Sequence, residues 1–323
     1  MQHNFLFPES RILRLSVLFL FLFSQLTFAQ KFVIPVLPDT QGEINYQPAM
    51  FTSQMEWLAS NRDSLRIPIV LHVGDVVDFN NTVQYQRASD GFSILDKAKV
   101  PYAITLGNHD TNAVGENSGS AAPGNTNENL RTTSRFNSYF PTSRFTLQKD
   151  RFEKNKSDNA TYTFKAGGLN WLVITLEFCP RQAVVNWANQ VLNHYPNHNV
   201  IILTHFFLTP QGQIAQSNAG YGDLTLQSVY DQLIKKHPNV LLVLSGHNDN
   251  TAWRDDIGEK GNHIYQILQD YQFEDNGGGL IRLLEIDPEA GTIAAKMYSP
   301  YLKKTLEDNS RFIFRNVKFI PTK

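Results

Sequence analysis

Five apolar, β-branched runs in this chain end the same way, and that regularity constrains its fold more than any other feature. The run 100–106 leads into Gly107-Asn108-His109-Asp110. The run 33–37 leads into Asp39 and Gln41, and 67–73 into Asp75 and Asp78. The run 200–203 leads into His205, and 240–244 into His247 and Asp249. Short apolar runs bounded by turn residues read as buried strands. In sheets of parallel strands, ligands bind in the crevice beyond the carboxyl ends. Five strands that each bring a carboxylate, amide or imidazole to one rim describe a metal site.

The rest of the chain fits a body built to hold that rim. Of its 323 residues 41% are hydrophobic and 18% charged, enough apolar material for one sizeable core. Formal net charge is −1. No basic stripe points to nucleic acid and no acidic tail to a solvating role. At the N-terminus, Arg11 and Arg14 precede the apolar run 15–23, and Thr27-Phe28-Ala29 offers small residues at the two positions a signal peptidase reads. This reads as a secretory signal peptide over 1–29, cut after Ala29, and predicts a secreted or periplasmic protein. The run is short for a span of about 20 residues. No later segment is apolar enough to cross a bilayer. Cys179 is the single cysteine, so no internal disulfide forms, and a small buried hydrophobe is its expected role.

Through the first half, strand runs alternate with helix-like segments, which suggests βαβ units. Apolar spacing predicts helices over 48–65, 83–98, 182–195 and 224–236. Pro35 removes a ladder donor from the first strand, so a bulge or an edge is expected there. Residues 111–130 and 210–222 are polar, glycine-containing loops. Two β-rich runs around Gly167-Gly168 predict a hairpin. From residue 262 onward four short β runs (264–268, 280–286, 293–298 and 312–319) predict an antiparallel tail that completes a second sheet. One domain over residues 30–323 is the simplest count.

As ligands, Asp39, Asp75 and Asp249 offer hard oxygens, Gln41 and Asn108 amide oxygens, and His205 and His247 imidazoles. That exceeds what one ion needs. Two ions about 3.5–4 Å apart, bridged by one carboxylate, use them all, and such a pair suits phosphoester hydrolysis.

Taken in order, Asp39-Thr40-Gln41, Gly74-Asp75-Val76-Val77-Asp78, Gly107-Asn108-His109-Asp110, the His205 segment and Gly246-His247-Asn248-Asp249 resemble the calcineurin-like metallophosphoesterases over about residues 32 to 250. The resemblance implies an α/β fold, a two-layer β-sandwich flanked by helices, with a dinuclear centre. It implies that Asp75 bridges the ions, that Asp39 binds the first, and that Asn108, His205 and His247 bind the second. His109 is implied to act on the leaving oxygen, with Asp110 orienting its ring. Two departures fall on the first ion: Gln41 stands where the family has His, and Asp249 replaces the last His. Oxygen donors there favour Mn, Mg or Fe over Zn.

The expected activity is therefore hydrolysis of a small phosphoester, monoester or diester. The alternative is a secreted binding protein on a catalytically decayed scaffold of the same kind. A metallohydrolase acting on a non-phosphate ester or amide is a third reading with no support beyond the ions. Oligomeric state is left open.

Overall fold

The strands follow the chain as β1 (Phe32–Leu37), β2 (Val70–His72), β3 (Tyr102–Ile104), β4 (Gln148–Arg151), β5 (Ala160–Ala166), β6 (Leu169–Leu176) and β7 (Asn199–Thr204). They continue as β8 (Val240–Ser245), β9 (Asn250–Ile257), β10 (His263–Asp270), β11 (Ile281–Asp287), β12 (Thr292–Ser299), β13 (Lys304–Thr305) and β14 (Phe312–Arg315). The helices are α1 (Gln41–Tyr46), α2 (Pro48–Asn61), α3 (Thr82–Lys97), α4 (Thr126–Leu130), α5 (Ser134–Tyr139), α6 (Gln182–His194) and α7 (Leu226–Gln232). The computed structural model describes Met1, residues 30–218 and residues 220–322. The signal segment expected over 1–29 thus lies, Met1 apart, outside the described residues. Among those described, no helix is long and apolar enough to cross a membrane.

Two sheets form. The first has the order β13-β12-β11-β1-β2-β3, with β14 also paired to β12. The second has the order β4-β5-β6-β7-β8-β10-β9. In the first, β1, β2 and β3 run parallel. In the second, β6, β7, β8 and β10 do. The five rim-ending runs became β1, β2, β3, β7 and β8, so their carboxyl ends gather where the two sheets meet.

Both faces of the parallel strands are covered, which is why they read as unbroken apolar runs. Along β6, Trp171 and Val173 enter the core between the sheets. Leu172, Ile174 and Leu176 enter a second core under α6 and α7. Phe51, Met55 and Leu58 of α2 and Tyr85, Phe92 and Leu95 of α3 cover the first sheet and belong to the same continuous cluster. Asn81 caps α3 by accepting from the Gln84 amide at 3.0 Å. This is a two-layer β-sandwich flanked by helices, as expected.

The C-terminal expectation holds only in part. β10 joins the second sheet, but β11 to β14 return to the first and extend it from β1. β2 covers one side of β1, and the apolar β11 closes the other, with Pro35 opposite Leu283. Pro35 therefore lies in a central strand, with neither bulge nor edge. Val33 donates to Leu65 O before the β2 ladder begins at Val36. By strand alternation the Pro35 nitrogen faces that same unpaired stretch, so the missing donor leaves no acceptor unmet. Several elements went unread, among them α4, which lies inside the expected loop 111–130. α1 is one turn and a half beginning at Gln41, and β4, β9 and β13 are short or polar. α7 also stops earlier than its apolar spacing suggested.

Candidate metal centre

Asp75 organises the rim. Its Oδ1 accepts the His109 backbone N–H at 2.8 Å, and its Oδ2 lies 3.1 Å from His205 Nε2. His247 Nδ1 lies 3.2 Å from the same His205 nitrogen. Asp75, His205 and His247 each bring one donor atom within 4.8 Å of the others. His205 Nδ1 contacts Val73 O at 2.8 Å. A carbonyl only accepts, so Nδ1 carries the hydrogen and the Nε2 lone pair faces the cluster, the usual preparation of a ligating imidazole. Asp39 sits beside this group. Its Oδ2 accepts the His247 backbone N–H at 3.1 Å and lies 3.8 Å from His205 Nε2.

Two glycines make the close approach possible. A Cβ on Gly107 would lie 2.0 Å from Asp75 Oδ1, and one on Gly246 2.0 Å from Asp39 Oδ1. Asp75 and His247 themselves hold left-handed backbone, with φ of 50° and 72°. Non-glycine residues there are uncommon and cluster at functional sites. Below the rim His72 is a purely structural ring. Its Nδ1 accepts from the Gly74 amide at 3.1 Å, and its Nε2 donates to Thr40 Oγ1 at 2.9 Å. Burial pushes it down to about 3, so it stays neutral.

Burial, then Asp270 and Asp75, push the Asp39 carboxyl well above its usual range. Burial also raises Asp75, but the charges of His205 and His109 outweigh it and hold that carboxyl well below the usual range. Burial pushes His247 down to about 3. Among the predicted ligands, three buried oxygens have no hydrogen-bond partner: Asp39 Oδ1, Gln41 Oε1 and Asn108 Oδ1. Buried acceptors without partners are costly unless a cation or water meets them. Three orphaned oxygens beside a carboxylate and two imidazoles fit a bound metal.

Of the predicted ligands, Asp39, Asp75, His205 and His247 come together, while Gln41 and Asn108 are buried in the adjoining motif segments. Asp249 is the exception. The left-handed turn at His247 and the bond from Asn248 Nδ2 to Leu208 O at 2.7 Å leave it exposed, with Glu274 and Asp270 as charged neighbours. Asp110 does not orient the His109 ring. Its two oxygens accept from the Val76 and Gly107 amides, both at 2.9 Å, so it clamps two motif loops together. The ring is held instead by Asp78, whose carbonyl meets His109 Nδ1 at 2.6 Å. The Asp78 side chain accepts from Asn45 Nδ2.

Asp270 was missed. It is fully buried at the end of β10, pushed up to about 7 by burial. An acid closing an apolar run was the same signal that found the others. Phe178 and Phe206 wall the site, with ring centroids 5.0 and 4.9 Å from that of His247.

Residues 34–248 match the calcineurin-like phosphoesterase family. The chain belongs to it. A 276-residue stretch, 83% of the chain, is 29% identical to the Bacillus subtilis (strain 168) uncharacterized protein YvnB. It spans only 20% of that relative's length. Among solved structures, the purple acid phosphatase PPD1 from yellow lupin (Lupinus luteus) seeds aligns with TM-score 0.56 and 12% identity, covering 88% of this chain and 54% of that one. The Haemophilus influenzae NAD nucleotidase aligns with TM-score 0.47 and 12% identity, over 88% and 49%. The lupin structure shares the fold.

Proposed function

We propose that this member of the calcineurin-like phosphoesterase family is a metal-dependent hydrolase of small phosphoesters with a dinuclear centre. The observation that carries the reading is the meeting of Asp75, His205 and His247 with the orphaned oxygens of Asp39, Gln41 and Asn108. Asp39 and Gln41 would hold the first ion, Asn108, His205 and His247 the second, and Asp75 would serve both. The oxygen-rich first set favours Mn, Mg or Fe over Zn. A bound pair of this kind supplies Lewis acidity and lowers the pKa of water. His109 serves the leaving group. With Nδ1 engaged by Asp78 O, Nε2 is the nitrogen left to pass a proton to the departing oxygen. Asp110 keeps the loops carrying Asp75 and His109 in register. The basic-then-apolar N-terminal segment supports action outside the cytoplasm.

The test is metal content per chain, with hydrolysis of p-nitrophenyl phosphate and bis-p-nitrophenyl phosphate in added Mn²⁺. Two ions and metal-dependent turnover are expected, and the better substrate separates monoesterase from diesterase. The exposure of Asp249 favours one competing reading, a binding protein on a decayed scaffold. That reading predicts a single ion and ligand binding without turnover under any added metal.

A further inference from the structure

We propose that Asp270, delivered by β10, is a ligand of the first metal ion, in the role that sequence order assigned to Asp249. The proposal rests on the dinuclear reading above.

Position comes first. In the parallel ladder of β8 and β10, Leu268 pairs with Ser245, so Asp270 stands level with His247. In the ladder of β7 and β8, Leu203 pairs with Leu244, so His205 stands level with Gly246. Three adjacent parallel strands therefore bring His205, His247 and Asp270 to the same height at their carboxyl ends. Asp249 lies between two of them in sequence, yet the turn at His247 leaves it exposed.

The surroundings of Asp270 have the character of a ligand site. Its side chain has no solvent exposure. Gln272 alone holds both oxygens, through its backbone N–H at 3.0 Å and its Nε2 at 3.1 Å. Each oxygen keeps a lone pair. The unpartnered Asp39 Oδ1 and Gln41 Oε1 complete the surroundings. Buried carboxylate and amide oxygens with unmet lone pairs call for a cation. An ion on Asp39, Gln41, Asp75 and Asp270 meets all of these demands with hard oxygens.

Mn²⁺ titrated into the metal-free full chain tests this, with bound ions counted by mass spectrometry and the thermal midpoint followed with and without Mn²⁺. Wild type is expected to hold two ions, Asp270→Asn one, and Asp249→Asn two. Asparagine keeps the shape and can still accept from Gln272. The metal-free midpoint of Asp270→Asn should therefore equal or exceed that of wild type, while its Mn²⁺-induced rise shrinks. Two ions at wild-type affinity in Asp270→Asn overturn the proposal. So does a lower metal-free midpoint with an unchanged Mn²⁺ response, which marks a structural role. Loss of an ion in Asp249→Asn and not in Asp270→Asn overturns it as well. A wild-type chain holding one ion sinks the dinuclear reading separately. Asp270 remains a ligand if its asparagine variant loses that ion, and is excluded if the ion stays.

Discussion

At the scale of single residues, the site is built from close approaches that only particular side chains permit. Gly246 lies against Asp39, where a Cβ would come within 2.0 Å of Oδ1 and 2.7 Å of Val73 Cγ2. Gly246→Ala should displace the carboxylate. We expect a stability loss of roughly 1–3 kcal/mol from overpacking, with the first ion lost. An alanine variant with unchanged melting and full metal content would show that Asp39 can relax away without consequence. His109 is different in kind: its ring meets a carbonyl and the edge of the loop at Gly119, and none of the clustered donor atoms is its own. His109→Ala should keep both ions and slow turnover by about 10²–10⁴, most for poor leaving groups. Comparing p-nitrophenyl and alkyl phosphates decides the matter, since equal slowing for both excludes proton donation.

At the scale of elements, the wall of the site is tied down by an ion-pair knot between β6 and α6. Buried Glu177 accepts from Arg181 Nε and NH2, both at 2.8 Å, and lies 3.3 Å from Arg131. Arg131 in turn donates to the Phe178 and Cys179 carbonyls, fixing the segment that carries the aromatic wall. Burial raises Glu177, but its arginine partners outweigh that and hold its carboxyl below the ordinary 4.5. A depressed carboxyl stabilises the fold fully above its unfolded value. The contribution is lost as pH falls through the lower folded value. Glu177→Gln should therefore cost about 2 kcal/mol at neutral pH. Its melting curve should converge on wild type as pH drops below 4.5; a constant difference down to pH 3 would remove the charge from the explanation. Cys179, in the same segment, is a buried thiol pushed up to about 12 by burial, the small hydrophobe expected and no nucleophile.

At the scale of the whole molecule, the two sheets are joined by apolar packing and by one buried cation. Arg282 of β11 reaches from the first sheet into the second. It donates to Gln269 Oε1 at 3.0 Å and Thr251 Oγ1 at 2.8 Å, and to Ser310 O at 2.6 Å. Its guanidinium also lies 5.4 Å from the Phe312 ring centroid. Arg282→Met removes a desolvated charge but leaves three acceptors unmet at about 1 kcal/mol or more each. We expect a net loss of about 2–3 kcal/mol and a lower urea midpoint. A raised midpoint would mean that the buried charge costs more than its bonds return, as happens in some buried ion networks.

Much of this was legible in order along the chain. Apolar runs closing on Asp, Asn and His identified five strands, the rim, and the four residues Asp39, Asp75, His205 and His247 that meet there. That worked because a strand buried on both faces has a composition local sequence cannot hide, and because parallel strands expose only their ends. Sequence could not say which sheet each late strand would join, since β11 pairs with β1 across more than two hundred residues. It could not tell which acid faces the site. Asp249 sits in the motif but is turned outward by the left-handed backbone at His247, while Asp270 arrives from another strand at the same height. Nor could it show that Asp110 serves the backbone and Asp78 the His109 ring. Residue type and spacing determined the fold and the chemistry available; backbone direction at the strand ends, set by tertiary packing, decided which side chains meet.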